Sequence, residues 1–465
     1  MKQKSGFSGQ IGFVFAAAGS AVGVGNLWRF PYLAAKDGGG LFLLIYLVLV
    51  LTVGFTLLTT DIAIGRKTGK SAIYAYEAMR KKWKFLGVLT FLVPVLIMTY
   101  YAVIGGWILK YITIYLLGSG KEAVADNCFT SFISSPSSVW FSLVFMFLTA
   151  LIVYNGVEKG IERVSKFIMP VLLIMVIGIA IFSLTLKTTL EDGTVRTGLQ
   201  GLVIYLKPDL TGITVQRFLQ ISLDAMSQLF FSLSVSMGIM ITYGSYVKKD
   251  VDLNKAVSQI ELMDTGVAFL AGIMIIPAVF VFSGLDGMAA GPGLMFVSLP
   301  KVFYQMGFAG RMVGIIFFLL AAFAALTSCI SVLESITANC MELFHTERKK
   351  TTGILSVIYL IATAVIALGY SVFYVEVGLP NGSTGQLLDI MDYISNSFLM
   401  PFIALLSSIL IGWIMKPSWI AEEMELNGTK FKRKKLYQIM ICFVMPVIMT
   451  ILFLQSTGFL NLFMK

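Results

Sequence analysis

The chain has 465 residues, 57% of them hydrophobic and only 13% charged, with a mean hydropathy of +0.86. So little polar surface excludes a soluble fold of any domain number and indicates an all-α integral membrane protein. The net charge of +10 would suit a nucleic-acid partner on a soluble chain, but here the basic residues sort by membrane side and no nucleic-acid role is expected.

Apolar runs long enough to cross a bilayer, about 20 residues for a ~30 Å core, recur along the chain. Eleven transmembrane helices are expected, at 11–35, 41–64, 85–117, 139–155, 167–186, 216–246, 255–283, 307–341, 352–374, 391–415 and 437–457. The first follows Lys2 and Lys4 and could imitate a signal peptide, but it runs past any cleavage point and ten more follow, so it reads as a retained helix. With the N-terminus cytoplasmic, the inner face gathers 24 of the 35 lysines and arginines, among them Arg80, Lys81, Lys82 and Lys84. An odd number of spans then puts the C-terminus outside.

Cys128, Cys329, Cys340 and Cys442 show no CxxC spacing, so neither a disulfide pair nor a metal site is implied. The single histidine, His345, lies in a basic loop, which excludes a histidine centre within the membrane. No HExxH or nucleophile constellation falls in the spans, and no GxxxxGK[ST] loop supplies nucleotide energy, so the chain is not expected to be an enzyme and ion gradients remain as the energy source.

Span one contains "GSAVGVGNLWRFPY" (19–32), with three glycines, Asn26, Arg29 and Pro31 where a lipid-facing helix should be unbroken. Irregular backbone at membrane depth is tolerated only inside protein or along a watery cavity, and there its freed groups become ligands. Span six repeats the interruption with Ser227, Ser232, Ser234, Ser236 and Gly238. Small residues alone would suit close helix packing. Two breaks at matching places in two five-span halves argue instead for helices 1 and 6 unwound at the midplane of a 5+5 inverted repeat, around a central binding site. The expected organisation is one transmembrane domain over 1–465, with a first repeat at about 8–187, a second at about 215–415 and an additional helix at about 437–457.

These residues resemble the neurotransmitter:sodium symporter family. The first-helix stretch, "GGG" at 38–40, "YY" at 100–101, "GIERVSK" at 160–166, "FFSLSVSMG" at 230–238, "ITYGSYV" at 241–247, "ALTSCISVLE" at 325–334 and "DIMDY" at 389–393 carry the likeness over nearly the whole chain. The family contains the bacterial leucine transporter and the monoamine and GABA carriers, and eleven spans instead of twelve resemble its short prokaryotic branch. The resemblance implies the leucine-transporter fold and sodium-coupled symport of an L-amino acid into the cell by alternating access, in a bacterial inner (plasma) membrane. It implies two Na+ ions and no obligate protein partner. A non-transporting amino-acid sensor or an ion channel on the same scaffold stays open at this point.

By the same resemblance, one sodium ion would take the carbonyls of Gly19, Val22 and Ala324 and the hydroxyls of Thr327 and Ser328. The other would take the Ala21 carbonyl, Asn26, Ser232, Asp264 and a carboxylate oxygen of the substrate. Alternatively, Thr327 and Ser328 would bond back to their own helix. The substrate would meet the backbone at Ala21, Val24 and Gly25 together with Tyr101, Phe231, Ser232, Ser234, Met237, Ser328 and Val332, with Phe231 as lid. Monoamine carriers hold an aspartate where this chain has Gly23, so the cargo here must bring its own carboxylate: an α-amino acid. Met237, a flexible thioether, replaces a phenylalanine of the leucine transporter and suggests hydrophobic side chains, aromatic ones included.

Asp264 stands where the leucine transporter has asparagine. Chloride-dependent relatives hold an anion there with groups resembling Tyr46, Gln228 and Ser232 and a serine where this chain has Ala268, so the expectation is that a fixed carboxylate replaces the anion and chloride is not required; alternatively, Asp264 would be a buried acid that stays protonated. Arg29 and Asp392 would form an outer gate, and Lys4 with Glu342, supported by Ser245 and Tyr246, an inner one. Lys4 and Phe7 replace the arginine and tryptophan of the family pattern, which predicts a looser latch. Asp61 and Glu334 are expected as supporting acids without a ligand role.

Overall fold

The computed structural model describes residues 6–459 apart from Ser119, Asp126, Asn381 and the side chain of Asn427. Its long helices are runs of Leu, Ile, Val, Phe and Met that satisfy their own backbone hydrogen bonds, as a lipid environment demands. In chain order they are α1 (Gln10–Ala21), α2 (Val24–Lys36), α3 (Gly40–Thr68), α4 (Ala72–Met79), α5 (Lys81–Leu116), α6 (Pro136–Tyr154), α7 (Val157–Thr185) and α8 (Gly198–Leu206). There follow α9 (Val215–Leu233), α10 (Ile239–Gly244), α11 (Leu253–Ser283), α12 (Phe308–Phe344), α13 (Arg348–Leu368), α14 (Leu387–Met415), α15 (Ser418–Met424) and α16 (Lys434–Ser456). Two short antiparallel hairpins, Lys187–Thr189 with Val195–Thr197 and Val377–Gly378 with Thr384–Gly385, sit in connecting loops.

Among the described residues, nine helices are long and apolar enough to cross a membrane, or ten when α1 and α2 count as one bent span. The remaining expected span, 216–246, is divided between α9 and α10. The latter is too short to cross alone, and α9 carries Arg217, Gln220, Asp224 and Gln228.

Prolines shape several helices. The wide, π-type turns at Leu294–Ser298, Tyr393–Leu399, Leu410–Met415 and Met440–Val444 each stop two residues before a proline. Proline lacks an N–H and its ring presses on the carbonyl four residues back, so the ladder there opens by one residue.

The centre is formed by α1, α5, α11 and α12, with α7 against α11, α6 against α5, and α13 against α6. α16 packs on α14 at the edge and leaves Ile439, Phe443, Val447 and Ile451 exposed, an apolar face suited to lipid.

Candidate functional site

The first break lies between α1 and α2. Val22 turns to extended backbone (φ −71°, ψ 90°), Gly23 follows extended at ψ −174°, and the axis bends by 53°. The freed amide of Gly23 donates to Asn26 Oδ1 at 3.2 Å, and that of Val24 to Tyr101 Oη at 3.4 Å. With its oxygen already accepting, the Tyr101 hydroxyl keeps its proton available for a ligand.

The second break separates α9 from α10. Ser234, Ser236 and Gly238 all take left-handed backbone, at φ +53°, +61° and +76°. Non-glycine residues there cost about 1 kcal/mol or more each and persist only where the surroundings hold them. Two contacts do so: Ser234 Oγ donates to the Ser20 carbonyl at 2.9 Å, and the Ser236 amide donates to the buried Asp61 carboxylate at 2.8 Å. The first of these joins the two breaks directly.

Beside them lies Asp264, fully buried on α11. Asn26 Nδ2 donates to its Oδ1 at 2.9 Å, and Ser232 Oγ lies 2.7 and 3.0 Å from its two oxygens. Among the described residues no basic side chain stands opposite it. A carboxylate in that setting needs a cation or a proton. Tyr46 Oη is buried beside Asp264 and Ser232, and Gln228, whose Nε2 reaches the Gly25 carbonyl at 3.5 Å, has its Oε1 buried without a donor. The set Ala21, Asn26, Ser232 and Asp264 is thus drawn from the first break, α2, α9 and α11.

Of the other expected ion set, Gly19, Ala324, Thr327 and Ser328 meet where α1 lies on α12, and Val22 caps the end of α1. A Cβ on Gly19 would meet Thr327 Cβ at 3.2 Å, so α1 lies directly on α12 there. Ser328 Oγ reaches the Ser20 carbonyl at 3.2 Å and the Ala324 carbonyl at 3.1 Å, while Thr327 Oγ1 bonds back to the Phe323 and Ala324 carbonyls at 3.0 and 3.1 Å. Among the described residues no cluster of three or more His, Cys, Asp or Glu could hold a metal ion. The oxygens on offer are carbonyl, hydroxyl, amide and one carboxylate, the chemistry of a hard, weakly held cation.

A cavity of about 40 Å³ opens onto both breaks. Of the expected substrate residues, Ala21, Gly25, Tyr101, Phe231, Ser234, Met237, Ser328 and Val332 line it. Ser232 stands behind the wall, and Val24 contributes through its amide to Tyr101. Ile97, Tyr100, Ile239 and Asn396 also line it and were not anticipated. The Phe231 ring lies so close to Gly25 that a Cβ there would be 2.4 Å from it.

Above Phe231 a vestibule of about 590 Å³ shares Tyr100, Tyr101, Phe231 and Asn396 with the small cavity. Arg29 and Asp392 both line it without pairing to each other. Arg29 donates to Ser227 Oγ at 2.7 Å and sits 5.7 Å from the Phe231 ring centroid. Asp392 accepts from Tyr100 Oη at 2.8 Å and Asn396 Nδ2 at 2.6 Å.

The opposite end is closed. The Phe7 amide donates to the Tyr246 carbonyl at 3.2 Å, and the Phe7 ring packs among Phe13, Tyr243 and Tyr246. Glu342 accepts from the amide and hydroxyl of Ser71, the hydroxyl at 2.6 Å, and Ser245 Oγ donates to the Thr242 carbonyl. Lys4 lies outside the described residues. Tyr246 Oη donates at 2.6 Å to Glu334, which also takes both terminal nitrogens of Arg348 at 2.6 and 2.7 Å. Sequence reading left this network unseen, since a loop separates Glu334 from Arg348.

The chain is matched over residues 4–134 and 128–461 by the family model described as the sodium:neurotransmitter symporter family. It is 36% identical over 463 residues to the uncharacterized sodium-dependent transporter YhdH of Bacillus subtilis (strain 168), covering 98% of both chains. It is 24% identical to the human sodium- and chloride-dependent GABA transporter 2, covering 98% of this chain and 80% of that protein. Among solved structures it resembles MhsT, crystallised with L-phenylalanine, at a TM-score of 0.82 and 35% identity over 98% of this chain and 100% of that one. The chain therefore belongs to the sodium:neurotransmitter symporter family, a family of sodium-dependent, multi-pass secondary transporters rather than enzymes.

Proposed function

We propose that the protein is a sodium-coupled symporter of hydrophobic, including aromatic, L-amino acids, working by alternating access in a bacterial plasma membrane. The observation that carries this reading is the buried Asp264, held by the neutral Asn26 and Ser232 with no basic side chain opposite it among the described residues, one layer behind a cavity on two broken helices. A cation completing that cluster and a substrate carboxylate at the cavity wall would each supply the other's missing partner. The phenylalanine bound to MhsT favours the same cargo class.

In this reading Val215–Gly244 is the sixth crossing and brings the total to eleven, unwound at 234–238, and 1–465 forms one domain of two inverted repeats plus α16. The N-terminus is cytoplasmic and the C-terminus outside. One ion lies among Ala21, Asn26, Ser232 and Asp264, the other among Gly19, Val22, Ala324, Thr327 and Ser328. At ~100 mV two ions moving with a zwitterion contribute about 4.6 kcal/mol, enough for a concentration ratio above roughly 10³.

About 40 Å³ is room for a few waters only. An amino acid enters when Phe231 lifts from Gly25, joining cavity and vestibule. Arg29 and Asp392 then close above it, while Glu342, Ser245 and Tyr246 with Lys4 guard the inner side.

Saturable uptake of labelled phenylalanine into proteoliposomes under an inward sodium gradient tests the reading. Uptake equally strong in choline or potassium would overturn it, and sodium-independent, non-saturating flux would indicate a channel. Tyr101→Phe removes the one hydroxyl proton aimed at a substrate carboxylate and is expected to raise the half-saturating substrate concentration by about 10-fold or more, with unchanged thermal stability. An unchanged value would remove Tyr101 from the site.

A further inference from the structure

Four charged groups meet where the vestibule ends of α2 and α9 lie side by side. Asp37, just past the last turn of α2, is fully buried. Its Oδ1 accepts from Arg217 Nη2 at 2.9 Å and lies 4.0 Å from Lys36 Nζ, whereas its Oδ2, sealed from water, has no donor. Lys36 Nζ donates to Asp224 Oδ2 at 3.0 Å and Gln220 Nε2 to Asp224 Oδ1 at 3.1 Å. Arg217 also donates to the Lys36 carbonyl at 2.9 Å. Tyr32 lies next to Lys36, and the segment pairing with Gly38 and Gly40 brings Lys207 and Asp209, both exposed. Asp224 itself lines the vestibule and so connects the group to water.

A carboxylate serving only as an acceptor for Arg217 would be held below the usual carboxylate range. Asp37 goes the other way: burial, then the neighbouring Asp224, push it up to about 6 against the pull of Lys36 and Arg217. The orphaned Asp37 oxygen, with a second carboxylate beside it, asks for a donor, and a proton is the smallest one.

We infer that Asp37 and Asp224 form a proton-binding site reached from the vestibule, and that its occupation ties α2 to α9. The pairing has a consequence for transport, because α2 carries Arg29 and α9 carries Phe231 and Ser227, the groups lying over the substrate cavity. Acidity at the vestibule thereby sets how firmly that cover is held together.

The test is thermal unfolding of the purified protein in lipid nanodiscs between pH 7.5 and 5.0, for wild type, Asp37→Asn and Asp224→Asn, without sodium or substrate. The native carboxyl holds its proton more tightly than the unfolded one, which titrates near ~3.9, so the native state gains as pH falls through about 6. Relative to Asp37→Asn, wild type is expected to gain about 2 °C in melting midpoint on acidification. Asp224→Asn, which removes the second of the two causes that raise Asp37 and leaves its burial, loses part of that gain and carries the test if Asp37→Asn does not fold. Parallel pH profiles, or a wild type that loses midpoint against Asp37→Asn as an ordinary ion pair would, overturn the inference. Because no transport is measured, its failure is separate from failure of the symporter reading.

Discussion

Asp264→Ala is expected to lower sodium-dependent uptake by at least two orders of magnitude while leaving a folded protein. The carboxylate is fully buried, and its neighbours Asn26 and Ser232 are neutral. Removing one member of a buried charge pair costs about 3–5 kcal/mol, and at 1.4 kcal/mol per tenfold that is roughly 10² to several 10³ in cation affinity. Asp264→Asn keeps the shape and the hydrogen-bonding length but not the charge, so it should fall between wild type and alanine. The same carboxylate bears on anions. With a fixed negative charge beside Tyr46 and Gln228, wild-type uptake should be unchanged when gluconate replaces chloride. Sodium titrations of initial uptake rates decide both points. A strict chloride requirement, or an Asp264→Ala protein with normal sodium affinity, would remove Asp264 from the ion site.

The parts of the molecule legible in its sequence are those governed by local rules. Bilayer-length apolar runs announce helices because the backbone must satisfy itself in lipid, and expected and observed limits agree closely for 85–117 against Lys81–Leu116 and 437–457 against Lys434–Ser456. The breaks were legible because Gly23 and the serines of 232–236 cannot belong to a plain lipid-facing helix. Less visible were elements fixed by tertiary contact. The helix starting at Val157 begins ten residues before the expected 167, because Glu158, Lys159, Glu162 and Arg163 disguise its first turns, yet Glu162 is buried against Ser8. Glu334 looked like a bystander because Arg348, its partner, starts the next helix. Asn396 enters the cavity one turn beyond Asp392, a relation that helical spacing contains but only the packing of α14 on α5 makes meaningful. The Arg29–Asp392 contact is absent for a different reason: the vestibule between them is open, and no sequence feature says which state of a gate is the resting one.

Arg348→Ala is expected to be the most destabilising single change at the closed end. Glu334 has no exposed surface, and its two oxygens take both Arg348 nitrogens and the Tyr246 hydroxyl. Without Arg348 the carboxylate must stay charged in an apolar setting, take up a proton or draw in water, at a cost of about 3–5 kcal/mol. The melting midpoint should fall by roughly 3–5 °C. Transport should suffer as well, because Tyr246, anchored by Glu334, carries the carbonyl that holds the Phe7 amide. Loosening it opens the inner side and lowers accumulation against a gradient more than the initial rate. Glu334→Gln placed in the same chain should recover most of the stability, since a neutral amide oxygen still accepts from Tyr246 and leaves no charge to compensate. The double variant is thus expected to be more stable than Arg348→Ala alone, a non-additivity of about 2 kcal/mol. Losses that simply sum, or an Arg348→Ala protein that melts with wild type, would show that the pair does not hold this end shut.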